Sequence, residues 1–244
     1  MKGIAVASRG LERRFFTSFL ARRFYFLMAV LAAAVVTYGF SRTIDEGLIH
    51  PSFVVPVILY VHVALFVGWL VLLLVQTGLV QAQRVNLHRR IGLGSVGFGA
   101  ALVIAGVWVS IVMARIEAGQ GDPQAGPFLI VPFADMVFFA LLFGLGVWYR
   151  RKVEMHRRLM LMAAITLTGA AFGRFPAFIV PHGGWFYLAI DVFIFLGVIR
   201  DLLVQRRVHP VYLVGLPLLM TGQLVTISIR YSHWWAGASQ VFIQ

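Results

Sequence analysis

Seventeen of the 21 Lys and Arg residues fall in four short segments separated by long apolar stretches, and this placement constrains the fold more than any other feature. The segments hold Lys2, Arg9, Arg13, Arg14, Arg22 and Arg23; Arg84, Arg89 and Arg90; Arg150, Arg151, Lys152, Arg157 and Arg158; and Arg200, Arg206 and Arg207. The intervening connections carry only Arg42, Arg115 and Arg230, and Arg174 alone lies inside an apolar stretch. Cytoplasmic loops of membrane proteins retain Lys and Arg in this way. The pattern predicts an all-α polytopic membrane protein of seven transmembrane helices, with its N-terminus cytoplasmic and its C-terminus outside.

With 60% hydrophobic and 12% charged residues the chain falls outside the soluble range, where about a quarter of residues are charged. A span needs about 20 apolar residues to cross the hydrocarbon. Such stretches lie near 24–40, 53–80, 92–114, 128–149, 159–180, 185–203 and 211–230. They form one membrane domain over 24–230, between a cytoplasmic arm (1–23) and an external tail (231–244). Residues 11–26 mix paired arginines with aromatics, which suits an amphipathic helix on the lipid interface. No small-residue cleavage site follows the first stretch, so it reads as a retained helix.

The net charge of +12 does not mark a nucleic-acid protein, because the charges punctuate helix ends instead of forming a continuous patch. The expected partners are the bilayer and anionic lipids at the cytoplasmic loops. Oligomeric state leaves no trace in the pattern. Arginine outnumbers lysine 19 to 2, which points to a bacterial genome of high GC content and so to the bacterial inner membrane. The absence of cysteine excludes disulfides, thiolate metal sites and a cysteine nucleophile.

The three cytoplasmic loops resemble one another, each ending in a histidine that opens the next helix: His88, His156 and His209. The helix before each carries one ionisable residue in its outer half, namely His62, Asp135 and Asp191, which suggests three degenerate helical hairpins after an unpaired first span. The third span is rich in small residues (Gly92, Gly94, Ser95, Gly97, Gly99, Gly106), as closely packed membrane helices are. Pro56, Pro132, Pro176 and Pro181 gather toward the outer ends, where freed carbonyls require other partners.

His62, Asp135, Arg174, Asp191 and Gln223 share one depth, about 9–14 Å below the outer surface at 1.5 Å rise per residue. Buried charges cost about 2.5–3.5 kcal/mol each at a helix centre, so they demand pairing or hydration. If the five converge, they form an outer cavity for a small polar or lipid head-group ligand, or a proton-handling site. In the purely structural alternative, Arg174 pairs with Asp191 while Asp135 hydrogen-bonds His62. Metal binding by His62, Asp135 and Asp191 would suit zinc, iron or manganese, although no HxxxH or HExxH spacing occurs. An intramembrane enzyme would need a nucleophile at matching depth, and Ser110 and Ser228 lie nearer the surface.

His88 and His156 have two readings, as interfacial companions of arginine or as a pair of haem ligands near the cytoplasmic side. On the outer side His62 has only His182, at a turn, as a partner. The stretches VHVALFVGWLVLLLVQTGLVQAQRVNLHRRIG and WYRRKVEMHRRLMLMAAI resemble uncharacterised bacterial multi-pass membrane families whose helices open with His-Arg-Arg followed by Leu-Gly or Leu-Met. The resemblance covers roughly residues 53–175 and implies a haem-binding (haem b) or respiratory-complex assembly role. The chain departs from b561-type cytochromes in lacking two histidine pairs that span the bilayer.

Overall fold

A computed structural model describes the backbone of residues 2–244 and the side chains from Thr17 onward. Every regular element among the described residues is helical. Helix α1 (Lys2–Ser41) is followed by a π turn (Asp45–Ile49), α2 (Val57–Gln81), α3 (Val85–Gly119), the short α4 (Ala125–Phe128) and α5 (Ile130–Trp148). Then come α6 (Val153–Thr166), the short α7 (Gly169–Phe172), α8 (Trp185–Gln205), α9 (Pro210–Arg230), and the short α10 (His233–Ala238) and α11 (Gln240–Ile243). Backbone helix runs unbroken from Lys2 into the first span; the expected amphipathic character of the arm falls largely on residues 1–16, whose side chains lie outside the described residues.

Among the described residues, five helical stretches are long and apolar enough to cross a membrane: Thr17–Ser41, Val57–Gln81, Val85–Gly119, Ala125–Trp148 and Pro210–Arg230. The other two expected spans differ from this pattern for physical reasons. The stretch 159–180 is not one helix. Thr166 Oγ1 donates to Ala163 O (2.8 Å) and Thr168 Oγ1 to Ile165 O (2.6 Å), and α6 stops after 14 residues, a rise of about 21 Å. After α7 the chain turns through Pro176 and Pro181, then through Gly183 and Gly184 at φ 85° and 101°, a backbone region that favours glycine. Helix α8 has 21 residues but carries Asp191, Arg200 and Asp201 among its apolar ones.

Three hairpins, α2–α3, α5–α6 and α8–α9, close through short turns rich in arginine, here termed the basic end. The main core joins α1, α6, α8 and α9 through Phe24, Met28, Met162, Ile165, Ile190, Ile194 and Leu219. A second core is aromatic: Trp69 of α2 meets Phe139 and Phe143 of α5 edge-on, at centroid distances of 5.1 and 5.3 Å, and stacks near Phe98 of α3. Part of the small-residue run on α3 serves this contact, since a Cβ on Gly99 would come within 2.5 Å of the Phe143 ring. The tail after α9 folds back on the bundle. Trp235 Nε1 donates to Pro127 O (3.2 Å), Arg115 Nε donates to Phe242 O (2.7 Å), and Ser239 is buried against Gly126.

Candidate functional sites

The five polar residues expected to converge are distributed over four places. Asp135 of α5 accepts a hydrogen bond from Tyr187 OH of α8 at 3.1 Å, with Thr226 of α9 beside the same hydroxyl. One turn farther along α8 and α9, Asp191 lies against Gln223, both buried. Asp191 Oδ1 and Gln223 Nε2 nevertheless each lack a well-formed hydrogen bond. These two levels make a short polar ladder between α8 and α9. Arg174 belongs to neither level.

Arg174 follows α7 and reaches toward the end of α1. Its Nε donates to Thr43 Oγ1 (3.0 Å) and its NH1 to Ala170 O (2.6 Å), while the guanidinium lies 4.3 Å from the Phe40 ring centroid. No Arg174–Asp191 pair forms, and Asp135 takes its bond from Tyr187 instead of His62. His62 packs against Phe66, ring centroids 4.1 Å apart and planes tilted by 34°, with its Nδ1 buried and without a partner. His182 is exposed on the loop before α8 and makes no ring contact with His62. Ser110 and Ser228 donate to Gly106 O (2.7 Å) and Leu224 O (2.9 Å) of their own helices, so neither hydroxyl is poised as a nucleophile. Among the described residues no three His, Asp or Glu side chains come together to hold a metal ion.

At the basic end a buried ionic network forms that the depth argument did not anticipate. The Arg158 side chain of α6 is 0% exposed and clasps the equally buried Asp201 of α8 in two parallel bonds, Nε to Oδ2 at 2.8 Å and NH2 to Oδ1 at 2.6 Å. Its NH1 donates to Glu154 O (2.8 Å) and Glu154 Oε2 (2.7 Å), and its NH2 to Gln205 Oε1 (3.2 Å). Asp201 also accepts from Arg200 NH1 (3.0 Å) and from the His209 N–H (3.3 Å). Burial works to raise the Glu154 carboxyl pKa, but bonds from Arg158 and Gln205 and the charge of Arg157 outweigh it and hold the group below its usual range. The sequence signal was a carboxylate in a cluster otherwise read only for positive charge.

The three loop histidines differ in role. His209 caps α9, its Nδ1 accepting from the Val211 N–H at 3.2 Å, and burial lowers its pKa. His88 at the start of α3 and His156 at the start of α6 face each other instead, with ring centroids 6.2 Å apart and planes 75° apart. The two imidazoles thus meet between the starts of α3 and α6. His156 Nδ1 lies 2.8 Å from Gly146 O; donation there leaves Nε2 free. Gln76 of α2 holds His88. With its amide turned to satisfy all three contacts, Nε2 donates to His88 Nδ1 (2.5 Å) and His88 O (3.1 Å), and Oε1 accepts from the Gly92 N–H (3.1 Å).

No family model, curated protein or solved structure matches this chain.

Proposed function

We propose that the chain is a seven-span protein of the bacterial inner membrane, N-terminus cytoplasmic and C-terminus outside, that holds a b-type haem through His88 and His156. The single observation that carries the haem assignment is the separation of the two imidazoles. The ring centroids stand 6.2 Å apart, so the two residues that would hold the haem come from two different helix starts at one end of the bundle.

The donor set also supports a porphyrin over a bare ion. An ion held by protein alone needs three or more ligands, and no such group assembles among the described residues. A porphyrin supplies four nitrogens and asks the protein for axial ligands only. Gly146 O fixes the ring orientation and tautomer of His156, while Gln76 holds His88; ligation through His88 Nε2 would require the Gln76 amide to turn and accept from Nδ1–H, giving up its bonds to His88 O and the Gly92 N–H. Arg89 and Arg90 adjoin His88 in sequence and would supply positive charge for the porphyrin carboxylates, whereas Arg157 is paired with Glu154. Haem bound there supplies one-electron transfer.

The seven-span topology is supported by the alternation of basic turns with apolar helices. It needs α6–α7 and α8 as the two remaining spans; Arg158 of α6 and Arg200 and Asp201 of α8 are paired within the bundle at the basic end, while Asp191 of α8 lies against Gln223. The test is to purify protein from haem-replete cells and measure haem per chain and the reduced-minus-oxidised spectrum. Wild type carries one haem; His88→Ala and His156→Ala lose it, whereas His209→Ala retains it. A haem-free wild type, or an unchanged spectrum in both ligand variants, overturns the assignment.

A further inference from the structure

We infer that the basic end carries a binding site for an anionic phosphate group, formed by Tyr25 of α1, Arg157 of α6 and Arg200 of α8. One aromatic ring gathers the three side chains. The Arg157 guanidinium lies 5.0 Å from the centroid of the Tyr25 ring, and that of Arg200 lies 5.6 Å from it. Phe24, the residue before Tyr25, is buried in the main core with Leu159 of α6 and Val198 of α8, which anchors α1 between these helices.

Donors in this cluster outnumber their acceptors. Tyr25 OH, Arg157 Nε and Arg200 Nε are buried, and each lacks a hydrogen-bond partner among the described residues. The Arg200 side chain is only 3% exposed. A buried donor without a partner is destabilising, and an acceptor brought by a ligand relieves it. The neighbouring carboxylates are already engaged. Glu154 Oε2 accepts from Arg157 NH2, Arg158 NH1 and Gln205 Nε2, and Asp201 accepts from Arg158, Arg200 and the His209 N–H. Three guanidiniums, of Arg157, Arg158 and Arg200, meet two carboxylates in these ion pairs, which leaves one positive charge uncompensated.

Ligand chemistry follows from the charge and from the donors. One excess positive charge calls for an anion. A tetrahedral phosphate presents oxygens in several directions, so donors arriving from three helices can share it, and guanidinium N–H groups bond phosphate oxygens strongly. The arginine-rich turns flank the apolar helices, so the site lies at the level of lipid head groups. A phosphodiester with no cation of its own, as in phosphatidylglycerol, matches the excess charge. Phosphatidylcholine carries an ammonium that the surrounding arginines repel. Inorganic phosphate offers the same oxygens from solution.

The test measures the thermal unfolding midpoint of the full chain in detergent, each protein against its own lipid-free value. The additions are short-chain phosphatidylglycerol, short-chain phosphatidylcholine, and inorganic phosphate against chloride at matched ionic strength. Phosphatidylglycerol should stabilise the wild type at concentrations about tenfold below phosphatidylcholine. Tyr25→Phe keeps the ring against both guanidiniums and removes only the hydroxyl, so the phosphatidylglycerol concentration for half the effect should rise about tenfold. Arg200→Gln should abolish the preference between the lipids, whereas Arg207→Gln, on the exposed turn, should keep it. A response confined to phosphatidylglycerol identifies a lipid; a response to inorganic phosphate, weakened by Tyr25→Phe and Arg200→Gln, identifies a soluble phosphate. Stabilisation by neither anion, equal stabilisation by the two lipids, a Tyr25→Phe variant that responds as the wild type does, or loss of the preference in Arg207→Gln overturns the inference.

Discussion

Replacing Arg158 by Met tests whether the basic end is held by its buried ion pair. The substitution keeps a long flexible side chain against Tyr212, but removes five hydrogen bonds: two to Asp201, two to Glu154 and one to Gln205. Asp201 stays fully buried and keeps only Arg200 NH1 at 3.0 Å and the His209 N–H at 3.3 Å. Breaking one side of a buried pair costs about 3–5 kcal/mol. Because two of the four donors to Asp201 survive, the loss should be about 3 kcal/mol, roughly a hundredfold in the unfolding constant. Arg158→Met/Asp201→Leu removes both charges and should be milder than the sum of the single changes by at least about 1.5 kcal/mol. Equilibrium unfolding in mixed micelles of rising sodium dodecyl sulfate content, followed by circular dichroism, measures all four proteins. A loss below about 1 kcal/mol for Arg158→Met, or additive losses, would refute the reasoning.

Glu154 makes the same network sensitive to acid. Its folded pKa lies below the ordinary 4.5, so its stabilisation is complete above that pH and is lost as pH falls through the folded value. The Glu154→Gln variant should show a flatter acid limb in thermal midpoint against pH, by less than about 1 kcal/mol because the carboxylate is half-exposed. Glycine changes should separate by location. In Gly39→Ala the new methyl would collide with the Ala171 carbonyl where α1 crosses α7, costing about 1–3 kcal/mol, whereas Gly94→Ala meets nothing within 4 Å and should be neutral or stabilising by up to about 1 kcal/mol. Unfolding of both variants in the same micelles checks the contrast.

The helical class and the short arginine-rich turns were legible in the sequence because spans and charge retention depend on local composition. The break in α6 was not, since Thr166 and Thr168 look unremarkable in an apolar run until their hydroxyls bond back to the preceding turn. Helix rise says nothing about azimuth, and it does not apply to Arg174, which lies in the turn after α7. Tyr187 and Asp191 sit one turn apart on the face of α8 that meets Thr226 and Gln223 of α9, and Arg174 is carried elsewhere by the turn after α7. The Arg158–Asp201 pair was hidden because a positive-inside pattern directs attention to excess arginine, while its carboxylate partner lies 43 positions away. The His88–His156 proximity was legible as a pairing of equivalent helix starts; Gln76 and Gly146, which orient the rings, carry no signature in sequence.

Electron paramagnetic resonance of the air-oxidised, haem-loaded protein tests the central claim most directly. If His88 and His156 both hold the haem, the protein should give a low-spin ferric signal that is absent from both single-histidine variants. A high-spin ferric signal in the wild type, or a low-spin signal that survives loss of either histidine, would contradict the account.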